Sequence, residues 1–93
     1  MIRSFKTDAA EALWRRERPR GVPPDLHTTA YRKLLMLHAA TRLEDLRVPP
    51  GNRLEALKGD RAGQYSIRIN DQWRFCFSWN DGVENLELVD DHS

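Results

Sequence analysis

Lys58, Arg61, Arg68 and Arg74 lie close together in the second half of the chain, with Arg53 and Glu55 just before them and Asp90, Asp91 and His92 at its end. Cations set along strands present a fixed positive surface, whereas on a helix they are commonly a solvated face. A flat cationic face beside a carboxylate and an imidazole has the groups needed to hold and cut a phosphodiester. Arginine and lysine can stabilise added negative charge, and a histidine can move a proton near neutral pH. The bland alternatives stand beside this reading. Arg68 and Arg74 could be surface residues paired with Glu55 or Glu87, Lys58 could simply begin a turn, and Asp90 and Asp91 could be a solvated tail.

Other chemistries find less support. His27 and His38 are eleven residues apart, which is not the one-turn spacing of a helical metal pair, and a single cysteine adds no metal pattern. No glycine-rich phosphate loop and no nucleophile elbow occurs. Cys76 is a candidate for burial rather than reactivity. Trp73, Phe75, Phe77 and Trp79 alternate strictly and read as core, not as a base-stacking platform.

The elements that must position these residues follow from the spacing of the apolar ones. Ile2 to Phe5 alternates and predicts a short first strand. Asp8 with Glu11 three residues on resembles a capping box, and Ala9, Ala10, Leu13 and Trp14 give the helix behind it an apolar stripe. Pro19, Gly21, Pro23 and Pro24 end that helix, so Arg15 to Pro24 reads as a basic, mobile linker. A second helix is expected from about Asp25 to about Ala40, with Leu26, Ala30, Leu34 and Leu37 on one stripe. Thr41 to Pro50 reads as a loop.

From Asn52 the period changes to two. Tyr65, Ile67 and Ile69 form one apolar set; Trp73, Phe75 and Phe77 form the next. A turn at Asn70-Asp71-Gln72 that keeps both sets on one face pairs Ile69 with Trp73, and so places Arg68 opposite Arg74. Like charges there repel by up to roughly 1 kcal/mol, a cost that an anion would offset. Asp81-Gly82 predicts a two-residue hairpin loop that pairs Phe77 with Leu86 and Phe75 with Leu88, and brings the Asp90–His92 tail beside Trp73. Helices followed by strands indicate an α+β fold, a short first strand and two helices on one face of an antiparallel sheet whose other face is polar and cationic.

With 93 residues, one domain spanning 1–93 is expected, with a modest core. A lone cysteine, no apolar run of spanning length and no signal-peptide core at the N-terminus predict a cytoplasmic protein without a membrane segment. The net charge of +1 conceals a polarity: residues 1–79 hold all 15 lysines and arginines against nine acids, and residues 80–93 hold five acids alone. That argues against bulk coating of nucleic acid and is compatible with a local site on RNA.

The stretch Leu57-Lys58-Gly59-Asp60-Arg61-Ala62-Gly63-Gln64-Tyr65-Ser66-Ile67-Arg68-Ile69-Asn70-Asp71-Gln72-Trp73-Arg74-Phe75 resembles the signature of HigB-type killer toxins, within the RelE/ParE superfamily of toxin–antitoxin systems. Met1 to Phe5, Ala39-Ala40-Thr41, the Leu43–Leu46 region and the ending Val89-Asp90-Asp91-His92 match in kind and in order. The resemblance implies a RelE-like α+β toxin that cuts messenger RNA on the ribosome without a cofactor. It also implies a HigA-like helix-turn-helix antitoxin that binds the toxin and, on operator DNA, links it to its own promoter. Carried over by position, Lys58, Arg74, Asp90 and His92 would form the active site. Arg61, Arg68 and Arg53 would be RNA-binding cations, and Glu55 would stand as a base where some members have histidine. Many members have tyrosine where this chain has Asp91, which puts a negative charge near the phosphate. Two alternatives remain: a weakly active module that binds its antitoxin and tunes repression, and the gyrase inhibition of the superfamily's other branch, which the Lys58, Arg74 and His92 set disfavours.

Overall fold

The computed structural model describes residues 1–91, so the expectations for His92 lie outside the described residues. Two helices, α1 (Asp8–Trp14) and α2 (His27–Ala39), precede four strands, β1 (Glu55–Ala56), β2 (Gln64–Arg68), β3 (Trp73–Trp79) and β4 (Val83–Asp90). The strands form one antiparallel sheet in chain order. Ala10, Leu13, Ala30, Leu34 and Leu37 from the helices pack against Ile67, Phe75, Phe77, Val83 and Leu86 from the sheet, the α+β layering that the change of period predicts.

Short helical turns shape the connections. A 3-10 turn at Pro24–Leu26 leads into α2, which explains why the apolar stripe begins at Leu26, before the α-helix itself. Another at Leu43–Arg47 buries Leu46. The Asp45 carboxyl accepts from the backbone N–H groups of Arg42 and Thr41, which hold it below the usual carboxylate range.

Local expectations fail at four places, each for a physical reason. The capping box does not form: Thr7 is the N-cap, its side chain caps nothing, and Glu11 instead pairs with Arg15 at 2.7 Å. The first strand reduces to two isolated parallel bridges, Ile2 to Val83 and Phe5 to Leu86. The segment expected to be a mobile linker is largely exposed but anchored at several points: Val22 is buried, Glu17 N–H bonds to Ala12 O, and the Arg16 guanidinium sits 4.6 Å from the Tyr31 ring centre.

The fourth failure is the β3–β4 turn. Trp79 pairs with Val83, so the loop has three residues, Asn80 to Gly82, and not two. The extra residue is absorbed at Asn85, whose φ of 53° marks a bulge between Cys76 and Ser78. That bulge also explains the broken first strand: Asn85 N–H turns to Ser4 Oγ, interrupting the ladder between the two N-terminal bridges. Beyond it the predicted register returns, with Phe75 opposite Leu88 and Trp73 opposite Asp90.

Candidate active site

The polar face of the sheet is set by alternation. Ser66, Arg68, Arg74 and Cys76 point away from the helices, since Ile67 and Phe75 point toward them. Arg68 and Arg74 are direct partners across β2 and β3, as the turn at Asn70–Gln72 requires. That turn is fixed by Asn70 Oδ1, which accepts from the backbone N–H groups of Gln72 and Trp73.

Arg74 is the best anchored cation on this face. Its Nε donates to Ser66 Oγ at 3.0 Å, one Nη donates to the Arg53 carbonyl at 3.1 Å, and the same nitrogen lies 3.6 Å from Glu55. Its side chain is 15% exposed, so the guanidinium can still meet a ligand on one side. The supports are themselves fixed. Ser66 is fully buried, and Asn52, also fully buried, ties the loop before Arg53 in place by donating to the carbonyls of Leu46 and Val48 and accepting from Lys33. Burial, and then the charge of Arg68, pushes the Lys33 ammonium below its ordinary range.

Arg74 lies against an open hollow of about 250 Å³, with Glu55, Arg61, Ser66, Cys76 and Asp91 among its walls. Arg61 is held by Glu87 at 3.0 Å and Gln64 at 3.1 Å, and Lys6 reaches the same Glu87 at 3.4 Å. Burial opposes the charge on Glu87, but Arg61, joined by Lys6, outweighs it and brings the carboxyl below its usual range. Cys76 is buried behind this network, and burial pushes its thiol up.

The structure therefore gathers Arg74, Arg61 and Glu55 around one hollow and leaves other expected residues at its margin. Arg68 pairs with Asp71 at the hairpin. Its repulsion with Arg74 is thus relieved by acids, Asp71 on one side and Glu55 on the other, and the inference of an anion between the two arginines loses its force. Lys58 is exposed, ahead of the 3-10 turn Gly59–Arg61. Arg53 is exposed and contributes its carbonyl to the site. Asp90 opposes Trp73, so it lies on the other face at the strand end, where Gln72 donates to it at 3.2 Å. Asp91, one residue on, joins Glu55 as a carboxylate lining the hollow. Nothing in the sequence singles out Asn52 or Ser66 as supports, and Glu87, expected as a partner of Arg68 or Arg74, pairs with Arg61 and Lys6 instead. A buried polar residue carries no pattern of its own, although Ser66 was legible as the polar-face neighbour of Arg74. Among the described residues no group of three His, Cys, Asp or Glu side chains is arranged to hold a metal ion, and no helix is long and apolar enough to cross a membrane.

Known proteins resemble this chain over nearly its whole length. Residues 3–92 match the family model of the RelE-like toxin of the type II toxin–antitoxin system HigB. The chain is 41% identical to Toxin HigB-1 of Vibrio cholerae over 93 residues, spanning 99% of this chain and 98% of that one. It is 32% identical to Endoribonuclease HigB of Proteus vulgaris, spanning 99% of both. Among solved structures, YafQ from E. coli strain BL21(DE3) shares the fold with a TM-score of 0.52, over 92% of this chain and 89% of that one, at 16% identity. A hollow lined by arginines and carboxylates on the polar face of this sheet, in a chain related over its whole length to these toxins, leads to one assignment: it belongs to the HigB family of RelE-like toxins of type II toxin–antitoxin systems.

Proposed function

We propose that this toxin is a metal-independent endoribonuclease that cuts messenger RNA on the ribosome, with Arg74 at the scissile phosphate. The observation that carries the reading is the anchoring of Arg74, a guanidinium held by Ser66, the Arg53 carbonyl and Glu55 through two of its nitrogens and open toward a hollow. Fixed donors aimed at developing charge lower a barrier without reorganising during the reaction. The endonuclease activity is carried in the name of the Proteus vulgaris relative.

In this reading the ribose 2′-oxygen attacks the neighbouring phosphorus as its proton is taken by a base. Glu55, more than half exposed beside Arg74, has the carboxylate for that role. Arg74 and Arg61 stabilise the extra charge of the phosphorane, and Lys58 adds a mobile cation at the margin. The P–O5′ bond then breaks, His92 donates a proton to the departing 5′-oxygen, and the products are a 2′,3′-cyclic phosphate and a 5′-hydroxyl. Asp91 lines the hollow and Asp90 does not, so Asp91 is the carboxylate that bears on the phosphate. The acid–base set is sparse, and the ribosome supplies substrate geometry; positioning can contribute roughly 7–11 kcal/mol. The partner that restrains the toxin is a HigA-like helix-turn-helix antitoxin, through which it reaches operator DNA.

One observation favours a second reading. The cations of the hollow are opposed by Glu55, Glu87 and Asp91, which weakens its pull on a phosphate and suits a toxin-like module that binds its antitoxin and cuts little. Induced expression with mapping of transcript 5′ ends separates the two. New 5′ ends inside coding regions that vanish in Arg74→Ala support the endonuclease; an unchanged transcript map supports the module.

A further inference from the structure

A second hollow, of about 360 Å³, lies in the helix layer, away from the polar face of the sheet. Arg16, Glu17 and Arg18 from the segment after α1 and Thr28, Tyr31 and Arg32 from α2 are among its walls, three cations against one acid. It differs from the sheet hollow in its charge. There, each arginine is within ion-pair distance of an acid. Here, among the described residues, Arg16, Arg18 and Arg32 have no acidic side chain within that distance. Residues 15–32 hold five arginines against only Glu17 and Asp25.

We propose that this helix-side hollow is a second RNA site, taking phosphate oxygens of a strand outside the scissile region. It rests on the reading that the substrate is RNA, and it divides the work: the sheet hollow does the chemistry and the helix hollow supplies salt-sensitive affinity. The charge tally favours such a division, since the two arginines that line the sheet hollow are both paired with acids. Cations neutralised by neighbouring acids release few counterions on binding, whereas unpaired ones give the electrostatic attraction on which RNA affinity depends. Arginine suits the role because its planar fork meets two phosphate oxygens at once. The stack of Arg16 on Tyr31 leaves a flat outer guanidinium face on which a base can lie. Arg16 is held there by a left-handed backbone, φ 61°, with its N–H bonded to Leu13 O. An acidic peptide would meet the same cations, but a carboxylate gains nothing from that exposed stacking face.

The test titrates the full chain with a fluorescent single-stranded RNA oligonucleotide from about 50 to about 300 mM KCl. The variant combines Arg16→Asn, which tolerates the left-handed backbone, with Arg18→Ala and Arg32→Ala. Three lost phosphate contacts on a single strand should make the slope of log affinity against log salt shallower by about 2. Affinity at the low-salt end should fall at least tenfold. If the triple variant does not fold, Arg32→Ala alone, on the exposed side of α2, should lower the slope by about 0.7. Unchanged affinity and slope overturn the proposal, as does a wild type with no salt-dependent RNA binding. Intact RNA binding with lost affinity for the antitoxin also overturns it and assigns the hollow to an acidic peptide. Failure of the wild type to cleave transcripts would count against the endonuclease reading, and the titration would still decide the hollow.

Discussion

Removing Arg74 should separate catalysis from folding, and both magnitudes follow from its contacts. In Arg74→Ala the fully buried Ser66 hydroxyl loses its partner, as does the Arg53 carbonyl. A buried polar group left unpaired costs about 1–3 kcal/mol, which a domain with roughly 5–15 kcal/mol of stability can bear. If Arg74 stabilises the phosphorane, loss of one fixed donor should slow cleavage by about 10²–10³, equivalent to about 2.7–4 kcal/mol. Arg74→Lys keeps the charge but not the fork that meets Ser66 Oγ and a phosphate together, so its rate should fall between the two. Ser66→Ala tests positioning without touching the charge: the guanidinium loses its Nε anchor, and cleavage should drop by about tenfold at one lost hydrogen bond. The assay is translation-coupled cleavage of a defined message under single-turnover conditions, with thermal melts of each variant to confirm folding. A folded Arg74→Ala protein that cleaves within about threefold of wild type would refute this account of the site.

The remaining tests address the neighbours of Arg74. Asp91→Asn should raise cleavage by up to about fivefold by removing an exposed charge worth about 1 kcal/mol at most, while Asp90→Asn should leave the rate within about twofold; the reverse order would reject the face assignment. Glu87→Gln should destabilise the fold at neutral pH. Because the folded-state pKa of Glu87 is lowered, its contribution is present above the unfolded value, about 4.3, and is lost as pH falls through the folded one. Urea midpoints of the two proteins should therefore differ at pH 7 and converge in acid, and a gap that persists at low pH would point to packing instead. Gly82→Ala should cost about 1–3 kcal/mol in urea unfolding, since φ is 154° and an added Cβ would lie 2.8 Å from Met1 O; an unchanged midpoint would show that the N-terminal segment yields.

Much of the scaffold is legible in the sequence because it depends on period. The α2 stripe and the alternation of β2 and β3 each report which side of the chain is apolar, and apolar burial decides the layers. The opposition of Arg68 and Arg74 follows from the same alternation. What period does not report is the partner of each charge. Glu87 could be placed on the polar face of β4, but its choice of Arg61 and Lys6 depends on how the 3-10 turn Gly59–Arg61 folds back and where the N-terminal segment crosses β4. Loop geometry of that kind leaves no repeat in the sequence. Register sets Glu55 in line with Ser66 and Cys76, and the long Arg74 side chain reaches it diagonally across β2, which alternation alone does not distinguish from a pairing with Glu87.

The tail shows how a wrong local turn can still give the right register. A two-residue loop at Asp81-Gly82 and a three-residue loop followed by a bulge at Asn85 carry the chain to the same alignment beyond Glu87. Trp73 meets Asp90 in both cases. Once that pairing is fixed, alternation assigns the two tail carboxylates to opposite faces: Asp90 goes with Trp73, and Asp91 goes with Arg74 and Cys76. Resemblance by position had selected Asp90 for the active site, whereas the strand geometry puts the Asp91 side chain in the hollow. The two lines of reasoning assign different residues because family position tracks sequence order, while the electrostatics of a phosphate site depend on which side of the sheet a charge occupies.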